Sequence, residues 1–233
     1  FYEKLIMPFL IPFLLFMTIG PNLSWVKNKL KIFNIKKFFI FLINLIIAYL
    51  IIKSTSVNYL FATLLITFSL FLFFNCTSDF FKSNSSLSQK ISHLAFSLFL
   101  LSILFNGILS KEFNTNMKLG EEIKFDNKSI KFKKINILKK KNYQSIEGIF
   151  EVKSETDKNL FFAPEIRIYN QPKISTSESD IKTNFYTDNI LTFNLLNNDD
   201  YFNVRYQYKP LMLWIWISTA FLAFGGILGF FRK

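Results

Sequence analysis

Five stretches of this chain run without a single Asp, Glu, Lys or Arg: Leu5–Gly20, Phe38–Ile52, Val57–Asn75, Ile91–Leu109 and Leu211–Phe231. Crossing the hydrocarbon of a bilayer takes about 20 apolar residues wound as a helix, with a range of roughly 17 to 25. A helix also closes its backbone hydrogen bonds internally, so no amide is left unsatisfied in lipid. The five stretches are therefore predicted to be membrane-spanning helices. Phe38–Ile52 is the shortest, and Ile32, Phe33 and Ile35 can lengthen it while Lys36 and Lys37 carry their ammonium groups to the interface. A chain that is 51% hydrophobic, with 31 Phe, is in any case too apolar for an ordinary soluble domain.

The net charge of +12 and pI near 9.6 would by themselves suggest a nucleic-acid partner. The distribution of charge argues against one. Lys27, Lys29, Lys31, Lys36 and Lys37 stand between the first two spans with no acid among them, Lys82 and Lys90 flank the third and fourth spans against Asp79, and Arg232 and Lys233 close the chain. If the spans alternate, all three groups fall on one side, which the positive-inside rule makes cytoplasmic, or matrix in a mitochondrion. Phe1, the Lys53–Ser56 turn and the long segment 110–209 then lie on the other side. Residues 111–209 carry 17 Lys and Arg against 14 Asp and Glu, but long loops translocate largely regardless of charge. Their lysine excess hints at an acidic or anionic partner, beside the plainer reading of a solvated lysine-rich surface.

From Lys111 the composition turns to Lys, Asn, Asp and Ile with alternating polarity, the signature of strands. In YFNVRYQY, residues 201–208, the side chains of Phe202, Val204, Tyr206 and Tyr208 line one face. Ile166 and Ile168 flank Arg167 in the same way. Residues 122–125 and 129–132 are predicted to form a hairpin reversing at Asp126, Asn127 and Lys128. With further strands at 146–153, 160–163 and 190–195, about six strands make a small antiparallel sheet, folded as a sandwich or a partly open barrel. The fold class is a polytopic α-helical membrane protein of about five transmembrane helices with an inserted antiparallel β-rich extracytoplasmic domain. The parts are a four-helix region at 1–109, the β domain at 110–209 and a C-terminal helix at 210–233.

Chemical motifs are scarce. Cys76 is alone, which excludes an intrachain disulfide and a CxxC site. The β segment has no His, no Cys, no phosphate-binding Gly loop and no nucleophile paired with a base. Its neighbouring carboxylates, Glu121 with Glu122 and Asp199 with Asp200, lack the spacing of a metal loop and read as turn residues. No catalytic residue is expected. His93 is the one histidine in the chain, near the start of the fourth span. Ionisable groups in membrane helices often mark function, although a histidine so near a helix end also suits a structural or solvated role. A neutral imidazole is a good axial ligand for haem iron. Phe96, Leu100 and Gly107 lie at i+3, i+7 and i+14 from it, a face that suits a planar apolar ligand and ordinary helix packing equally. A second histidine would have to come from outside this chain. The opening Phe1, with no charged signal region before it, reads as part of a longer or split polypeptide.

Read together, the segments resemble the C-terminal third of the CcmF family of cytochrome c-type biogenesis proteins, which is associated with the haem lyase complex. PFLIPFLLFMTIGPNLSW, residues 8–25, resembles the family's Pro-rich helix ending in a Gly-Pro turn and a Trp, with Thr18 in place of the usual small or apolar residue. SHLAFSLFLLSILFNG is similar to the family's SHLG-type helix, with Ala95 where glycine is common. YQYKPLMLWIWIS and FLAFGGILG resemble its YKP turn, WIW helix and GG pair at Tyr208, Lys209, Pro210, Trp214, Ile215, Trp216, Gly225 and Gly226. NYQSIEGIFEV, PEIRIYNQP and SESDIKTNFYTDNI follow the family's exported domain in order, so the resemblance covers essentially the whole chain.

The resemblance implies membership in machinery that attaches haem to the CxxCH motif of apocytochrome c outside the cytoplasm. It implies that His93 is one axial ligand of a transmembrane b haem, through which electrons from quinol reduce the delivered haem. The partner histidine, and the Trp-rich segment that binds the delivered haem, belong to the upstream part of CcmF. Implied partners are that upstream part, apocytochrome c, the haem chaperone CcmE and a CcmH-type thiol-handling protein. The implied location is the bacterial cytoplasmic membrane or the mitochondrial inner membrane, with residues 110–209 on the periplasmic or intermembrane-space side. A chain of this extent would be part of a lyase, with Cys76 taking no part in the thiol chemistry. Apart from the resemblance, the residues also suit a transporter or insertase-type membrane subunit with an external receptor domain, or a purely structural subunit. In the transporter reading, Pro8 and Pro12 would break the first span.

Overall fold

The charge-free stretches form helices in the computed structural model, which describes residues 2–19, 35–53, 55, 59–82, 85–154, 159–196 and 201–231. The helices are α1 (Tyr2–Ile19), α2 (Ile35–Lys53), α3 (Tyr59–Lys82), α4 (Leu87–Leu109) and α5 (Met212–Phe230). Helices α2 to α5 are long and apolar enough to cross a membrane, and the described apolar stretch of α1 is Phe9–Thr18. Helix α1 runs unbroken through Pro8 and Pro12. Ile35 extends α2 as expected, whereas Ile32, Phe33, Gly20, Pro21, Trp25, Lys27, Lys29, Lys31, Asp199, Asp200, Arg232 and Lys233 lie outside the described residues.

The chain folds into two units, Phe1–Leu109 with Leu211–Lys233, and Ser110–Pro210. In the helical unit α3 packs against α1, α2 and α4, and α4 against α5. Leu14, Leu65 and Leu72 form one buried cluster, and Ala48, Ile52, Ala62, Ile66, Leu70 and Leu101 form another. Large apolar side chains such as Ile43, Leu50, Phe221 and Phe230 remain exposed on the outer faces, as lipid requires.

Small residues bring α4 and α5 together. Gly225 and Gly229, four apart on α5, abut Ser92 and Ser88, four apart on α4. Residues at this spacing share a helix face, and small ones allow close backbone approach in a membrane. Asn106 meets Met212 at the other end of the pair, so the helices run antiparallel.

Ten strands are described in the β unit: β1 (Lys111–Met117), β2 (Glu122–Phe125), β3 (Lys128–Lys139), β4 (Tyr143–Ser154), β5 (Leu160–Phe162), β6 (Glu165–Tyr169), β7 (Ile174–Glu178), β8 (Asp180–Thr183), β9 (Thr187–Leu195) and β10 (Phe202–Pro210). They form an antiparallel sandwich. One sheet has the order β1-β10-β9-β8, and the other β2-β3-β4-β6-β7 with β5 added along β4. Alternation puts Val204 and Tyr206 of β10 in the core with Phe202 and Tyr208 beside them, as the sequence suggests. They meet Phe132, Phe150, Phe162 and Phe193, and the Phe132 and Phe150 rings stack at 4.3 Å.

The expected six strands fall short of ten, because β1, β7 and β8 lie at sheet edges or are short and polar. A strand with little apolar burial leaves little alternation in its sequence. The hairpin reversal is also tighter than expected. Phe125 pairs with Lys128, leaving Asp126 and Asn127 as the turn, with Asp126 in the left-handed region at φ 47. Asp is among the residues that tolerate that conformation.

Candidate functional site

Ser86 fixes the start of α4. Its Oγ accepts a hydrogen bond from the Gln89 backbone N–H at 3.2 Å, the arrangement of an N-cap that satisfies a donor otherwise orphaned in the first turn. From that start Gln89, Lys90 and His93 fall on neighbouring positions of one face. His93 is the seventh residue of the helix, so it sits about 9 Å along an element that rises roughly 34 Å. Its side chain is exposed.

A cavity of about 150 Å³ opens beside it, lined from three helices. Helix α3 contributes Leu72, Asn75, Cys76 and Asp79 at i, i+3, i+4 and i+7, one continuous stripe. Helix α1 contributes Met17 and Thr18, and the turn before α4 contributes Ser85. Of the lining residues Met17 and Cys76 pack onto the buried Leu14–Leu65–Leu72 cluster, and Leu72 belongs to it. Two of the polar side chains bond back to their own helices, Thr18 Oγ1 to the Leu14 carbonyl at 2.7 Å and Asn75 Nδ2 to the Phe71 carbonyl at 2.7 Å. The charged residues at the rim are Asp79 and Lys90, one of each sign.

Among the described residues no group of three or more His, Cys, Asp or Glu could cage a metal ion. A lone imidazole is sufficient for a different kind of iron. A porphyrin brings four of the six ligands itself, so the protein need supply only axial atoms. His93 fits one such position. The cavity does not fit the macrocycle, because 150 Å³ corresponds to the liquid volume of about five waters and lies below the roughly 300 Å³ at which cofactor pockets begin. Leu100, on the face expected to offer an apolar platform, is occupied by packing on α1 and α3. Gly107 at the far end of that face has open space beside it. Among the described residues, then, an exposed imidazole stands beside a small cavity that cannot enclose a porphyrin.

The sequence singled out His93 but not its neighbours in the cavity. Asp79, Asn75 and Cys76 carry a helical spacing in α3, yet nothing in the sequence says that this stripe faces Gln89, Lys90 and His93.

Comparison with known proteins agrees with this architecture. Residues 108–210 match the family model described as the CcmF C-terminal beta-sandwich. The cytochrome c-type biogenesis protein CcmF of Haemophilus influenzae is 22% identical over 249 aligned residues, which take in 100% of this chain and 38% of that protein. A solved structure described as cytochrome c heme lyase CcmF superposes with a TM-score of 0.74 at 16% identity, covering 97% of this chain and 39% of the other. The chain therefore spans less than half the length of the curated relative it matches.

Proposed function

We propose that this chain, a C-terminal portion of CcmF, serves cytochrome c maturation by giving one axial nitrogen to a haem held jointly with another polypeptide segment. The observation that carries this reading is His93 itself: the only imidazole of the chain, exposed on a membrane-spanning helix beside a cavity too small to enclose a macrocycle. The half-site has a natural complement in the 62% of the relative's length that this chain does not match. A bound b-type haem would supply reversible one-electron chemistry there, and its axial ligands and burial would set its potential.

The residues of this chain have the simpler tasks. His93 Nε2 or Nδ1 would bind the iron, while the Gln89 amide oxygen on the same face and the Asp79 carboxylate across the cavity offer acceptors to the N–H of the other ring nitrogen, which would fix its tautomer. The Ser88–Gly225 and Ser92–Gly225 contacts hold α4 against α5, and so fix the direction in which the imidazole points. Quinol is the proposed electron donor. The β-sandwich is proposed to face apocytochrome c, the haem chaperone CcmE and a CcmH-type protein on the periplasmic or intermembrane-space side of a bacterial cytoplasmic or mitochondrial inner membrane. The lysine distribution around the spans supports that orientation.

The test is to purify the chain together with the remaining CcmF polypeptide and record reduced-minus-oxidised visible spectra. The b-haem bands should be lost in His93→Ala and kept in Gln89→Ala. Bands of full strength in His93→Ala would remove His93 from the site.

A further inference from the structure

The lysines of the β unit are not spread evenly. Residues 127–146 contain seven Lys and no acid, and residues 166–177 contain Arg167 and Lys173 and no acid. These two stretches supply the β3–β4 and β6–β7 turns, which are brought side by side because Tyr143 of β4 pairs with Tyr169 of β6, and Tyr169 with Ile174 of β7. The result is an acid-free end of the second sheet carrying Lys139, Lys140, Lys141 and Lys173, all exposed.

Several lysines elsewhere in the unit are paired: Lys111 with Asp126 at 2.7 Å, Lys133 with Glu151 at 2.8 Å, Lys182 with Asp180 at 3.1 Å. Among the described residues none of the four tip lysines has such a partner. Interspersed with them are apolar groups that a purely solvated tip has no use for. Ile137 is 66% exposed, Ile174 50% and Leu138 39%. The Tyr143 and Tyr169 rings meet at 5.3 Å, and the Arg167 guanidinium, itself paired with Glu165 at 3.1 Å and Glu178 at 3.7 Å, lies over Tyr143 at 5.4 Å. Aromatic and aliphatic anchors beside a cluster of unpaired lysines are the composition of a protein-binding surface with an oppositely charged partner.

We infer that this end of the sandwich docks an acidic protein segment, carboxylates meeting Lys139–Lys141 and Lys173 while apolar side chains cover Leu138, Tyr143 and Ile174. A protein fits better than a lipid surface. The chain enters and leaves the unit at the opposite end of β3, where Lys111 pairs with Tyr208 and Lys128 donates to the Tyr206 hydroxyl at 3.0 Å. The 12 residues of β3 carry the tip roughly 37 Å away from that end.

The test uses the full chain held in zwitterionic nanodiscs and a fluorescein-labelled oligopeptide of alternating Glu and Leu, read by anisotropy at low and high salt. Two charge reversals of equal size are compared, Lys139→Glu with Lys140→Glu at the tip, and Lys124→Glu with Lys153→Glu elsewhere on the unit. The tip pair should weaken binding about tenfold and the control pair less than about twofold, since exposed ion pairs are individually weak and only those at the docking surface are lost. Tyr143→Ser should also weaken binding while leaving its salt dependence unchanged. Equal losses from the two pairs would reduce the effect to net charge and overturn the inference. So would peptide binding unaffected by the tip reversal, and so would phosphatidylglycerol vesicles that compete with the peptide and depend on the same lysines, which would make the tip a lipid-binding surface.

Discussion

Ser88 donates a hydrogen bond from its Oγ to the carbonyl oxygen of Gly225 at 2.7 Å, tying the first turn of α4 to the last third of α5. A carbonyl inside a helix is already engaged by its own ladder, and the second bond is reachable because Gly225 has no side chain to hold the helices apart. In the membrane there is no hydrophobic drive between helices, so close packing and such polar contacts have to supply the association. The same contact orients the face on which His93 stands.

Enlarging Gly225 should therefore separate the helices. A Cβ there would collide with the Ser92 Oγ and come within 3.1 Å of its backbone nitrogen. Gly225→Val is expected to destabilise the helical unit by about 1 to 3 kcal/mol, the usual cost of overpacking. Ser92→Ala should restore part of the loss in Gly225→Ala, because one of the clashing atoms is gone. Denaturant titration of the detergent-solubilised chain would show both. Additive effects of the two substitutions would mean that the contact does not form.

In the sandwich the Phe132–Phe150 stack should be the most costly point to empty. Both rings are fully buried, and Phe193 packs edge-on against each of them at 6.2 and 5.6 Å. Phe150→Ala is expected to cost about 3 to 5 kcal/mol and Phe150→Leu less, read as lower melting of the β-sheet circular dichroism signal. An unchanged transition would contradict this core.

Two carboxylates should make the β unit acid-sensitive. The Arg205 guanidinium, then the Gln207 amide, hold Glu112 below the usual carboxylate range, and the Lys133 ammonium does the same for the Glu151 carboxylate. A depressed pKa in the folded state stabilises it fully above the unfolded value of about 4.3, and that contribution disappears as pH falls through the folded value. Glu112→Gln and Glu151→Gln should each lower the melting temperature at neutral pH and flatten its fall in acid below about pH 4. Variants whose acid profiles run parallel to the wild type would show that these pairs carry none of the pH dependence.

Much of this was legible in the sequence because membrane helices and buried strands leave strong signals. Charge-free runs located all five helices, and the strand patterns located β10, the first part of β3 and most of β4. What escaped was set by position in the fold. β7 and β8 read ISTSE and DIKT, sequences whose extended form comes from pairing with β6 and β9. The outer half of β3 was missed for a related reason: Ile137 and Leu138 remain exposed, so their apolar character does not report a core. The cavity beside His93 draws on α1, α3 and α4 together, and no local pattern announces a meeting of three helices. His93 itself stood out only by being the sole histidine, and nothing in the sequence foretold the small cavity beside it or the packing of Leu100 on α1 and α3.

Ligation of iron by His93 is tested most directly by chemical rescue. The chain is purified as His93→Gly together with a polypeptide corresponding to the rest of the Haemophilus influenzae relative, and haem is quantified by the reduced b-type visible bands with and without added imidazole. If His93 is the ligand, the bands disappear in His93→Gly and return, low-spin, when imidazole occupies the space left by the side chain. Full-strength bands in His93→Gly without imidazole would contradict it.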